Sequence, residues 1–184
     1  MTQKILTLVL FVSICFFVSE DVLKAQPYGF EGTAVCGVCH KTEKQGLQLK
    51  IWQDSQHSKA YKTLQTPEAD KIAMEKYGKK AVESEGCLKC HASGHGVDAK
   101  LIGAKFKIED GVQCETCHGA GSGYKSLKVM KSREESVKNG LIAWKDKAEI
   151  KASCVKCHNP ESPTYKEFKF DEMYSKIAHP VPKG

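Results

Sequence analysis

Eight of the nine cysteines fall in four pairs of one spacing, each followed at once by a histidine: Cys36, Cys39, His40; Cys87, Cys90, His91; Cys114, Cys117, His118; and Cys154, Cys157, His158. Two thiols three residues apart in a helical turn can reach both vinyl groups of one haem, and the imidazole of the next residue then points at the iron. Disulfides would use eight cysteines in a secreted chain, and paired Cys-x-x-Cys units could bind zinc, but neither explains a histidine after every pair. The reading is four covalently bound haem c groups. The eight cysteines supply the thioethers, and His40, His91, His118 and His158 are the proximal ligands.

The ligand count restricts what remains. Four irons have eight axial positions, and beyond the motif histidines the chain holds only His57, His95 and His179. At least one haem therefore takes methionine, stays open, or borrows a ligand from another chain. His57 is the best distal candidate, placed with Trp52, Ala60, Tyr61 and Leu64 on a partly helical pattern that Pro67 ends. His179 precedes Pro180, which favours an extended backbone there. His95 follows His91 by four residues, too short a loop to pass easily round the same porphyrin, so it serves a neighbouring haem or none. Met130 is the methionine candidate, with packing in a helix as the competing role, whereas Met74 and Met173 read as core residues.

The elements that must position these groups are mostly helical. Helices are expected over 45–64, Pro67–Tyr77 with proline in its permitted first turn, 124–139, part of 145–153, and 170–177. Only 99–108 alternates in a way that suggests a short hairpin arm. Glycines 119, 121 and 123 would let backbone lie against a ring or form a plain flexible loop. The chain is 41% hydrophobic with its motifs close together, so side chains alone would leave the middle underfilled and the porphyrins must supply core.

The first residues read as an export signal. Lys4 precedes an almost uncharged run, 5–19, too short to span a bilayer comfortably. Residues 1–25 are expected to be a signal peptide cleaved after Ala25, and 26–184 a single domain. Cys15 lies inside the apolar run after Ile14, which disfavours a lipoprotein; an uncleaved anchor is a minority reading. The formal charge of +6 is nearly all lysine, with Arg133 the only arginine, an unpromising composition for nucleic acid. A solvated lysine surface balancing haem propionates is favoured over a dedicated acidic-partner patch.

From Phe30 to the C-terminus the sequence resembles the tetrahaem cytochrome c-554 family. The resemblance rests on Phe30, Glu31, Gly32; on Trp52, Ser55, His57, Lys59, Ala60; on Gly111, Val112, Gln113 running into Cys114, Glu115, Thr116, Cys117, His118, Gly119; and on Phe168 to Met173. It implies a mainly α, multihaem cytochrome c with little regular sheet and a core of four stacked covalent haems. It also implies His57 as distal ligand to the haem of Cys114 and Cys117, and a five-coordinate haem at the second motif, that of His91. Two further distal histidines of the family have no counterpart here; Met130 and His179 could replace them. The expected function is a soluble, periplasmic or secreted electron carrier between a redox protein donor and an acceptor, not integral to the membrane after signal cleavage. The alternatives are a haem enzyme reducing a small nitrogen oxide at an open iron, and a subunit of an extracellular haem filament; the sequence leaves the oligomeric state unknown.

Overall fold

The computed structural model describes residues 28–181, so the expected signal peptide, its cleavage point and Cys15 lie outside the described residues. Ten short helices follow one another among them: α1 (Thr33–Cys36), α2 (Gln48–Asp54), α3 (Ala60–Thr63), α4 (Pro67–Tyr77), α5 (Glu85–His91), α6 (Cys114–His118), α7 (Leu127–Met130), α8 (Arg133–Lys138), α9 (Lys147–Cys154) and α10 (Phe170–Ser175). The fold is mainly α, as the sequence predicts, and α4 is the longest element at 11 residues.

Local chemistry sets these boundaries. The Thr66 side chain caps α4 by accepting from the Ala69 amide, Pro67 occupies the first turn, and Gly78 ends it in the left-handed conformation. The helix expected over 45–64 breaks at Ser55, which is extended with ψ 164°. There the Ser55 hydroxyl donates to the Trp52 carbonyl at 2.7 Å, and Ser58 donates to Gln53 and Ser55 carbonyls. Such side-chain bonds compete with the helical ladder. The segment resumes through a 3₁₀ turn, His57–Lys59, into α3. The helix expected over 124–139 likewise becomes α7 and α8, because Ser126 and Ser132 each cap a new start.

The hairpin expected over 99–108 is corrected. Asp98 caps a 3₁₀ turn at Ala99–Leu101, and a second turn follows at Ile108–Asp110. The segment's strand-like pairing is a single parallel bridge between Phe30 and Ile102. Phe30 donates to the Leu101 carbonyl and Gly103 to the Phe30 carbonyl, both at 2.7 Å.

Apolar burial is slight. Leu64, Ala73, Ala81, Leu88 and Ala92 form the buried cluster beneath α3, α4 and α5. Among the described residues the largest fully buried side chains are Gln113, Ser84 and Ser136, all polar. Protein interiors are normally close-packed with aliphatic and aromatic groups, so these helices behave as a hull around material the side chains do not provide.

Candidate haem sites

Each motif sits on a helical turn that brings its three functional groups together. The second and third motifs lie within α5 and α6. The first and fourth begin at the last residues of α1 and α9, where the His40 and His158 amides donate back to the Cys36 and Cys154 carbonyls at 3.1 and 3.0 Å. None of the eight cysteines is in a disulfide. Among the described residues no three His, Cys, Asp or Glu side chains converge as a zinc site requires.

Side-chain proximity orders the four motifs in space. The neighbouring Cys114 thiol, with burial, pushes Cys36 above the usual thiol range, while Cys36 lowers Cys114, placing the first motif near the third. Cys117 lies beside Cys154, joining the third to the fourth; burial and that neighbour raise it to about 11. Cys157 lies beside Cys90, joining the fourth to the second; burial and that neighbour raise it to about 12. The spatial order is therefore first, third, fourth, second.

Imidazole spacing supplies a separate test of fit. An iron–nitrogen distance of about 2 Å and about 1.1 Å from nitrogen to ring centre place two imidazoles across one iron about 6 Å apart, centre to centre. His57 and His158 have ring centres 6.1 Å apart, and His118 and His179 are 5.8 Å apart. Both separations fit a pair of axial ligands. Iron binding requires neutral imidazole, and burial favours that form at His57, His158 and His118. Burial lowers His57 and His158 below the usual histidine range, and His118 falls to about 4 through burial and the nearby His179 and His40. His40 is lowered by burial, with the Gln48 side chain opposing.

The resemblance implied His57 opposite the haem of Cys114 and Cys117. The His57 ring lies near that of His158 of the fourth motif, and the His118 ring near that of His179. The Phe168 ring stacks on His158 with centres 4.6 Å apart, a contact the spacing did not reveal. His91 faces no second imidazole among the ring pairs. Its Nδ1 lies 2.9 Å from the Ala60 carbonyl and 3.2 Å from the Thr63 hydroxyl, leaving Nε2 for a metal. A cavity of about 430 Å³ opens beside it, lined by Cys87, Cys90, Leu64, Tyr77 and Cys157, a volume suited to a bound cofactor. His95 sits in the turn after α5 between Gly94 and Gly96, both at positive φ, with its amide bonded to the Ala92 carbonyl. Met130 lies at the corner of α7 and α8, its sulfur 3.9 Å from the Ser136 hydroxyl.

Sequence reasoning did not give a role to the polar groups that fix the motifs relative to one another. Trp52 donates through its indole to the Val112 carbonyl at 2.7 Å, while the Val112 amide donates to the His57 carbonyl at 3.0 Å. The approach to the third motif is thus tied on both sides to the segment carrying His57. Gln113, 2% exposed, accepts from the Thr33 amide and hydroxyl and donates to the Lys107 carbonyl. Its own amide donates to Ser93, whose hydroxyl also meets Thr116. Little local marks these residues, since most of their partners lie 20 to 80 positions away.

A helical hull whose Cys-x-x-Cys-His turns lie beside paired imidazoles is the architecture of a c-type cytochrome, an electron carrier with covalent haem and redox proteins as partners. The family model for cytochrome c554 and c-prime matches residues 35–119. Cytochrome c-554 of Nitrosomonas europaea is 27% identical over 177 residues, covering 80% of this chain and 73% of that protein. No solved structure matches. Over these residues the chain is similar to cytochromes of the c-554 family. Among the described residues no helix is long and apolar enough to cross a membrane.

Proposed function

We propose that this chain is a periplasmic tetrahaem conduit carrying single electrons through its four motifs in the order first, third, fourth, second. The observation that carries the reading is the proximity of Cys36 to Cys114, of Cys117 to Cys154 and of Cys157 to Cys90, with Cys157 lining the same cavity as Cys90 and His91. Haem c, when bound, supplies a one-electron iron couple whose potential depends on axial ligands, charge and burial. The chain's part is to hold those couples close together and set their ligation. His57 with His158 and His118 with His179 would each complete a bis-imidazole site. His40 and His91 would hold the remaining two haems, with His95 and Met130 the candidates for a sixth ligand. Periplasmic location follows from the leader read at residues 1–25.

A second reading has an observation of its own. The cavity at His91 has no second imidazole facing it, which leaves room for a small nitrogen oxide at that position. Magnetic resonance of the natively produced, oxidised protein tests both. Two low-spin bis-imidazole centres are expected, with a high-spin centre assignable to the second motif by loss of its signal in His91→Ala. Absence of any bis-imidazole centre would overturn the ligand pairs. Carbon monoxide binding to one haem of the reduced protein is expected if the second motif is open, and no binding would remove the small-molecule reading.

A further inference from the structure

Glu115 lies between the two cysteines of the third motif, yet it is 2% exposed and is the one charged side chain among the buried polar residues described. Its carboxylate is surrounded by donors. Oε1 accepts from the Glu31 and Gly121 amides at 2.8 and 2.7 Å, and Oε2 accepts from the Gly32 amide at 2.8 Å. Three backbone amides thus donate to the carboxylate, a donor set suited to an acceptor-only group. The first two donors in the chain belong to the arm that enters α1 and the first motif, while Gly121 belongs to the loop leaving the third. One buried anion therefore joins the first and third motifs.

We propose that Glu115 is a positioning and potential-setting residue: a fixed negative charge at the junction of the first and third motifs that holds their haems at low potential relative to the other two. The inference rests on the tetrahaem reading above. A charge held out of water is weakly screened, and net charge near a haem sets the iron's preference for its oxidised state. Among its neighbours is Tyr124, whose hydroxyl is raised above the usual range by burial first and then by Cys36 and Glu115. Tyr124 in turn donates to the His118 and Gly119 carbonyls at 3.1 and 2.7 Å, so the charge sits against the scaffold of an iron ligand. Glu31 carries a second carboxylate beside it, but Lys125 pairs with that one.

The test is a haem-resolved spectroelectrochemical titration of the natively matured protein, with covalent haem content checked first by mass. Glu115→Gln is expected to raise the reduction equilibrium constant of the first and third haems at least tenfold, about 59 mV for a one-electron couple, and to move the other two less. Lys125→Gln, at a side chain 44% exposed, leaves the buried clasp intact and uncovers the Glu31 charge; it is expected to shift the same two haems to lower potential. Potentials unchanged in a matured Glu115→Gln protein, or four haems moving alike, would overturn the proposal. Should that variant fail to mature, Lys125→Gln decides: no shift at the first and third haems overturns it. A wild-type protein without haem at these motifs would overturn the tetrahaem reading itself, an outcome the mass measurement separates from the others.

Discussion

Replacing Gly111 by alanine should dislodge His57 without touching any haem-attachment residue. Gly111 has φ 72° and ψ −130°, a conformation open essentially to glycine alone. A Cβ there would come within 2.6 Å of the His57 carbonyl oxygen and 3.1 Å of the Ala60 amide nitrogen, both backbone atoms that cannot swing aside. The backbone strain is worth about 1–3 kcal/mol. Displacing the His57 carbonyl also breaks the 3.0 Å bond from the Val112 amide, adding about 0.5–1.5 kcal/mol. The total of about 1.5–4.5 kcal/mol is a loss on the order of 10- to 2,000-fold in the folding equilibrium. Gly78→Ala is the comparison, because Gly78 is also left-handed but a Cβ there meets nothing within 4 Å. It should cost only about 1 kcal/mol. Guanidinium unfolding followed at the Soret band gives the stability difference, and magnetic resonance gives the ligation: Gly111→Ala should lose one bis-imidazole signal, and Gly78→Ala none. Equal destabilisation of the two variants with both signals intact would refute the argument.

Two further outcomes follow from features described above. Gln113→Ala removes the partner of the Thr33 amide and hydroxyl in a buried setting, so unfolding titration should show a loss of about 2–5 kcal/mol, while Gln113→Glu should restore part of it by keeping the acceptor. Expression without the haem-attachment machinery should give a colourless chain with little helical circular dichroism, because the described side chains bury so little apolar surface; a folded apo-protein of normal helicity would contradict the hull interpretation.

What the sequence made legible was local. The four attachment motifs and α4 could be read because their determinants lie within a few residues: cysteine spacing in one case, Thr66, Pro67 and Gly78 in the other. The breaks at Ser55 and Ser132 were missed because serine hydroxyls redirect the backbone at single positions inside otherwise helical patterns. Distal pairing lay further out of reach. The rings of His57 and His158 come together from distant parts of the chain, which no local pattern marks. Glu115 would ordinarily be read as a solvated charge; only its three backbone donors, contributed by the N-terminal arm and the following loop, reveal a buried anion.

The polar character of the deepest side chains has a consequence for descent. Where aliphatic packing defines an interior, each methylene is held in place by its neighbours and change is slow. Here prosthetic groups would furnish that volume, and the chain's obligations shrink to attachment points, imidazoles and a few hydrogen-bonded pegs such as Gln113, Ser84 and Ser136. Such a scaffold can exchange most of its remaining residues while its metals stay put, so kinship among proteins of this build should outlast ordinary sequence similarity and be easiest to trace through the geometry of their iron ligands.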